Sequence, residues 1–242
     1  MGLTLIEWNE QVSRWFIEAS EFTGFHKSMA KKIIPYLKSG YSMCDIGCGL
    51  GRLDLELAPY VSEILAVDIS ADAVKRLARD AGSMGVNNIK TRCGDAADIL
   101  DSFDIILLSL YGQPDMRRLL SQCRHKLIRI VSSGKKSGLY PERYRREIKN
   151  AVPDVQNELR ALGIVYDLEY CAIESGQPMR SIQEAEEFIL SNAPEASPEE
   201  ISVFLSENII KTGKDDFPLF LPYMKEFGIF VIDNDQTLSA LN

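Results

Sequence analysis

The stretch Asp45-Ile46-Gly47-Cys48-Gly49-Leu50-Gly51 decides how this chain is read. It closes an extended segment at 42–47 (SMCDIG) and opens a helix at 51–60. Glycines at alternate positions allow a tight turn and, having no Cβ, let the backbone pass close to a ligand. The helix that follows offers free amides and the positive end of its dipole. A dinucleotide-binding loop needs G-x-G-x-x-G. Counted from Gly47, the last glycine of that pattern falls on Arg52, so the register fails and a nucleotide-dependent oxidoreductase is set aside. What stands instead is acid-x-G-x-G-x-G.

Working outward, strand and helix patterns alternate. Apolar runs predict strands at 63–68 (EILAVD), 88–93 (NIKTRC), 103–109 (FDIILLS) and 126–133 (KLIRIVSS), with amphipathic helices at 71–84 and 114–124 between them. Alternation of this kind implies crossover units and a parallel sheet, and the run Ile105-Ile106-Leu107-Leu108 suits a strand covered on both faces. Upstream, residues 4–20 and 25–38 carry apolar residues at helical spacing, and Trp8 and Trp15, seven apart, suit one packed helix face. Downstream, 141–162 reads as a charged helix, 164–174 as a strand and 228–233 as a last strand. Two capping patterns, Ser181 with Glu184 and Ser197 with Glu200 followed by Pro198, start helices at 181–192 and 197–211.

Composition bounds the function. The chain has 242 residues and a formal net charge of −8, so it lacks the global basic field that draws proteins to nucleic acid. No window approaches about 18 uninterrupted apolar residues, and the N-terminus lacks the pattern of a signal peptide. The five cysteines are scattered without a C-x-x-C pair, which argues against a zinc site or a disulfide framework. A soluble, cytoplasmic protein with no metal and no membrane partner is the expectation.

The acid-x-G-x-G-x-G loop resembles motif I of the class I, Rossmann-like S-adenosylmethionine-dependent methyltransferases, and neighbouring segments resemble the rest of the family in order. The resemblance covers about residues 25 to 133 and implies an α/β fold: a doubly wound, mostly parallel seven-stranded sheet with helices on both faces and the last strand antiparallel. It implies S-adenosylmethionine as cofactor, held by Asp45, Gly47, Cys48, Gly49 and Gly51 in the loop. Asp68 and Ile69 at the end of the second strand stand where the family binds the ribose hydroxyls. Asp95 and Ala96 stand at the adenine, and Ser109 ends the fourth strand beside the reacting methyl. A carboxylate suits a ribose diol as a bidentate acceptor. Tyr111 and His26 are the candidates for lining the acceptor pocket, His26 also as a general base. Cys48 is read as a packing residue, and Arg143, Arg145 and Arg146 as a solvated helix face rather than an anion site. No catalytic residue is assigned, since in-line transfer from a sulfonium needs mainly alignment.

The segment after Ser109 has neither the Asn/Asp-Pro-Pro-aromatic motif of amide- and amine-nitrogen methyltransferases nor the Pro-Cys pair of cytosine C5 enzymes. A small-molecule acceptor, methylated at nitrogen, oxygen or carbon, is therefore expected. The alternatives are a non-catalytic cofactor-binding protein or an enzyme acting on protein or RNA. The chain divides into N-terminal helices capping the cofactor site (1–40), the cofactor-binding core (41–174), a helical insertion (175–227) and the last strand (228–242). The family usually joins its last two strands by a short turn, so the insertion is a departure. It is expected either to close over the acceptor with the N-terminal helices or to form an oligomer contact.

Overall fold

A computed structural model describes residues 7–112, 114–145 and 148–234. Two helices, α1 (Glu10–Thr23) and α2 (Phe25–Ile33), precede a chain of β1 (Ser42–Ile46), α3 (Arg52–Leu57), β2 (Glu63–Asp68), α4 (Ala71–Ser83) and β3 (Ile89–Cys93). Then come β4 (Phe103–Ser109), α5 (Met116–Gln122), β5 (Cys123–Ser132), α6 (Val152–Ala161) and β6 (Asp167–Glu174). The insertion follows as β7 (Gln177–Met179), α7 (Ile182–Asn192), α8 (Pro198–Asn208), β8 (Ile210–Lys211) and β9 (Leu219–Leu221), before β10 (Met224–Asp233).

The main sheet has seven strands in the order β3-β2-β1-β4-β5-β10-β6. β1 pairs in parallel with β2 and β4, as do β2 with β3 and β4 with β5, while β10 runs antiparallel between β5 and β6. All five residues of β1 are buried, because α2, α3 and α4 cover one face and α5 and α6 the other. The expected doubly wound fold with an antiparallel last strand is the one observed.

Several boundaries differ, each for a local reason. The reading of 141–162 as one helix fails: only α6 is helical, starting where Asp154 Oδ2 accepts from the Ala151 amide at 3.0 Å and Pro153 occupies the first turn, with Asn150 at φ +57° before it. Arg146 lies outside the described residues. The helix read at 51–60 gives way after Leu57 to a tighter turn containing Pro59. At the N-terminus Asn9 caps α1 by accepting from the Val12 amide, so Trp8 lies before the helix and not on it, and Leu5 lies outside the described residues. Trp8 and Trp15 therefore do not share a packed face: Trp15 packs on Phe188 of the insertion and Trp8 on Phe16.

The insertion has its own three-stranded antiparallel sheet, β7-β9-β8, and an apolar core that includes Phe188, Ile189, Phe204, Leu205 and, from α1, Trp15. Ser181 and Ser197 cap its two helices as read from sequence, and Ser197 with Glu200 forms the reciprocal capping box.

Candidate functional site

β1 leads to β2 on one side and β4 to β5 on the other, so the connections above these adjacent strands diverge and leave a crevice at their carboxyl ends. A cavity of about 560 Å³ lies there. Asp45, Gly47, Cys48 and Gly49 line it from the loop after β1. Asp68, Ile69, Asp95 and Ala96 line it from the ends of β2 and β3, Ser109 and Tyr111 from the end of β4, and His26 from α2. Gly51 does not line it. A Cβ there would meet Leu77 Cδ1 at 2.3 Å, so this glycine lets α3 and α4 pack closely.

The loop is shaped by close approach. Gly47 has φ +79°, and a Cβ on it would lie 2.5 Å from Tyr111 Cδ2; Gly49 has φ +53°, and its Cβ would lie 3.0 Å from Trp8 Cζ2. Both positions therefore need glycine for backbone and for space. The Gly47 and Cys48 amides donate to Val67 O at 2.7 and 3.0 Å, tying the loop to β2.

Asp68 is fixed from both sides. Its Oδ2 accepts from the Gly49 amide at 2.9 Å and its Oδ1 from the Ser70 amide at 2.8 Å. Ser70 Oγ caps α4, so the carboxylate is not needed as a cap and each oxygen keeps accepting capacity toward the cavity. Asp95 Oδ1 accepts from the Ala97 amide at 2.8 Å.

Asp45 is 2% exposed and Asp54, on α3 behind the loop, is 0% exposed. The two carboxyls lie within hydrogen-bonding reach of each other. Asp45 Oδ1 and both Asp54 oxygens receive no hydrogen bond from any N–H or O–H of the described residues. Burial pushes the Asp45 carboxyl up to about 7, and burial together with Asp45 pushes Asp54 well above the usual carboxylate range. Two like charges in so dry a place cannot both stand, so the pair holds a proton between them. An orphaned acceptor beside the glycine turn suits a cationic group, and an ammonium arriving at Asp45 would satisfy it.

The segment after β4 is strained. Leu110 has φ +54°, a left-handed conformation that costs a non-glycine residue about 1–2 kcal/mol. It is held by its amide donating to Ile130 O at 2.9 Å. Arg129, 1% exposed, pairs with Glu158 at 2.8 Å and donates to Gly112 O at 3.4 Å. Strain of this kind concentrates at functional sites.

An aromatic wall comes from α1, α2 and Trp8 just before α1, with Trp8 lying against the Gly49 turn itself. Trp8 packs edge-on against Phe16 at 5.1 Å between ring centroids, Phe16 lies 5.3 Å from His26, His26 lies 4.9 Å from Phe25, and Phe25 lies 5.6 Å from Phe227 on β10. His26 Nδ1 shares a 2.5 Å hydrogen bond with Ser20 Oγ. Burial, then Arg52 and Lys225, pull the imidazole down to about 3, so it is neutral at physiological pH. Burial pushes the Cys48 thiol far up, which removes it as a nucleophile and agrees with a packing role. Arg143 pairs with Glu200 on α8 at 2.9 Å, away from the cavity. Among the described residues no cluster of three or more His, Cys, Asp or Glu is arranged to hold a metal.

Trp8, Phe16, Lys225 and Arg129 were not singled out for the site by sequence. Trp8 and Phe16 come from α1 and the residues just before it, Lys225 from the start of β10, and Arg129 from the interior of β5, where it braces Gly112 without lining the cavity.

Residues 37–186 match a family described as a methyltransferase domain. The chain belongs to this methyltransferase family. Its fold is that of the class I, S-adenosylmethionine-dependent branch. Among curated relatives, a probable cobalt-precorrin-6B C(15)-methyltransferase (decarboxylating) of Methanococcus vannielii is 27% identical over 87 residues, 36% of this chain and 48% of that one. The chain thus matches about half the length of such relatives. The YcgJ protein of Bacillus subtilis superimposes with a TM-score of 0.53 at 17% identity, covering 86% of this chain and 98% of that one. The magnesium protoporphyrin IX methyltransferase of Synechocystis PCC 6803, crystallised with SAH, superimposes at 0.51 with 15% identity, covering 95% and 89%. Among the described residues of this methyltransferase-family chain, no helix is long and apolar enough to cross a membrane.

Proposed function

We propose that this chain transfers the methyl group of S-adenosylmethionine to a small-molecule acceptor at nitrogen, oxygen or carbon. The observation that carries the reading is one cavity lined both by the carboxyl groups of Asp45, Asp68 and Asp95 with the glycine turn and by the rings of Trp8, Phe16, Phe25 and His26. Asp68 accepts from the ribose hydroxyls, Asp95 meets the adenine amine, and Asp45 faces the methionyl ammonium while Asp54 keeps the proton that the pair shares. The bound cofactor supplies an electrophilic methyl on a cationic sulfur. The protein's part is to align the acceptor in line with that methyl and to exclude water. The strained Ser109–Gly112 segment and Tyr111 border the place where the acceptor must lie. A neutral His26 accepts or donates a hydrogen bond to the acceptor rather than a charge.

Two features favour a small acceptor. The net charge is −8, which opposes a polyanion, and a cavity of about 560 Å³ has the size of a small-molecule site. The relative from Methanococcus and the enzyme from Synechocystis are named for tetrapyrrole acceptors, which is in keeping with small-molecule chemistry.

The test incubates the protein with methyl-labelled cofactor and a fractionated cell extract. Label is expected in the low-molecular-weight fraction. Label confined to protein or RNA would overturn the small-molecule reading, and tight cofactor binding with no transfer to any fraction would favour the non-catalytic binding protein.

A further inference from the structure

The cavity carries two cations with different standing. Arg52 is engaged: its Nη2 pairs with Glu21 at 2.7 Å and its Nη1 lies 4.0 Å from Asp80. Lys225, at the start of β10, lines the same cavity, yet no carboxylate or other hydrogen-bond acceptor partners it among the described residues. Its Nζ stands 5.3 Å from the centroid of the Phe227 ring. Burial alone acts on the ammonium and pulls it down to about 8, so it is still mainly charged at neutral pH. Lys225 is half-buried, and an ammonium partly withdrawn from water without a partner gains from an anion that pairs with it. This one faces the binding cavity, where an occupant can supply the pair.

Its position says which occupant. The carboxyl groups proposed for the cofactor stand at the ends of β1, β2 and β3, whereas β10 lies on the other side of β4 and β5 in the sheet order. Three strand spacings separate β1 from β10, roughly 14 Å. Trp8, Phe16, His26 and Phe25 line the cavity as a run of neighbouring rings, and Phe25 packs on the buried Phe227, over whose ring the Lys225 ammonium stands. A flat apolar body on that wall would bring an acid group at its far end to the ammonium. Resting on the methyltransferase reading above, we infer that Lys225 is the carboxylate-binding residue of the acceptor subsite, and that the acceptor is an aromatic acid. Lys225 positions the acceptor through a charge-assisted hydrogen bond and takes no part in the transfer itself.

The probes are 1-naphthoate and its neutral counterpart 1-naphthamide, measured by calorimetry on the full chain saturated with S-adenosylhomocysteine. The wild-type protein should bind the acid at least tenfold more tightly than the amide. Lys225→Met should remove that preference while leaving amide and S-adenosylhomocysteine affinities unchanged, and Lys225→Arg should retain it. The wild-type comparison needs no variant, so a misfolded substitution does not rescue the idea. Equal binding of acid and amide to the wild-type protein sinks the inference, as does a Lys225→Met protein that still prefers the acid. Loss of S-adenosylhomocysteine affinity in Lys225→Met, with the acid preference intact, assigns the ammonium to the cofactor's own carboxylate and also overturns it. If S-adenosylhomocysteine does not bind the wild-type protein at all, the proposed function itself has failed, and that outcome is seen before any acid is added.

Discussion

Asp68 joins the loop to the helix behind it: one oxygen holds the Gly49 amide and the other the Ser70 amide. Asp68→Ala therefore removes the proposed ribose acceptor and frees the turn together. Charge-assisted hydrogen bonds are worth about 1.5–3 kcal/mol each, so S-adenosylmethionine affinity measured by calorimetry should fall at least tenfold, at about 1.4 kcal/mol per decade. A folded variant with unchanged affinity would refute the assignment. The Asp45–Asp54 pair makes a second prediction. A carboxyl whose folded pKa is raised keeps a proton that the unfolded chain releases above about pH 4, so this pair lowers stability as pH rises from there through about 7. Asp54→Asn removes one charge and gives Asp45 a donor. It should stabilise the protein by on the order of 1–3 kcal/mol at pH 8 and much less at pH 5. Thermal unfolding at the two pH values reads this directly, and a variant-to-wild-type gap that ignores pH would show that the pair does not share a proton. At this scale much was legible: Asp45, Asp68 and Asp95 each sit at a strand end that apolar patterning already marks. Asp54 was not, since it lies within a helix and only the loop's return places it against Asp45. Lys225 carries no local signal, and the helical spacing of Trp8 points to a packed helix face rather than to the cavity.

Elements were legible where one local rule governs them. The central strands follow from apolar runs covered on both faces, and α4, α7 and α8 from their serine caps. Reading failed where two rules compete. In 141–162 the charged periodicity suggests one helix, but Asn150 in the left-handed region and Pro153 in the first turn of α6 start it afresh. The extension of β10 back to Met224 follows from pairing with β6 over Met224–Val231, information that no single strand contains. The cap on α8 permits a clean test. Ser197 Oγ accepts from the Glu200 amide at 3.2 Å while Glu200 returns a bond to the Ser197 amide at 2.9 Å, and neither lines the cavity. Ser197→Ala should destabilise by about 1 kcal/mol, lowering Tm by about 2–4 °C in a chain of this size, with cofactor affinity unchanged. A fall in affinity of the same variant would show that the insertion reaches the site more directly than its packing implies.

In the whole molecule the insertion does not line the cavity except at its edges, through Ser175 and Lys225. Its connection to the site runs through α1. Trp15 Nε1 donates to Glu184 Oε1 at 3.2 Å, the Arg180 amide donates to Glu184 Oε2 at 2.7 Å, Arg14 pairs with Glu184 at 2.9 Å, and Arg180 pairs with Glu18 at 2.6 Å. Phe22 of α1 meets Phe220 of β9 at 5.0 Å. One face of α1 is thus fastened to the insertion, and its other face, with Phe16 and Ser20, is a wall of the cavity, with Trp8 over Gly49 just before it. The sequence left two readings of the insertion, closure over the acceptor together with the N-terminal helices or an oligomer contact. With α1 fastened in this way, its release is expected to uncover the glycine turn as well as the aromatic wall. Glu184→Ala leaves the Trp15 indole N–H without its acceptor in a nearly dry place, together with two arginines that it balanced. The expected loss is about 1–3 kcal/mol, concentrated in α1. Tryptophan emission should shift to the red as Trp15 gains water, proteolysis should begin within 10–23, and affinity for S-adenosylhomocysteine should fall severalfold although no residue proposed to touch the cofactor has changed. A folded Glu184→Ala protein with unchanged emission and unchanged affinity would mean that α1 stands on the core by itself, and that the insertion serves something other than this site.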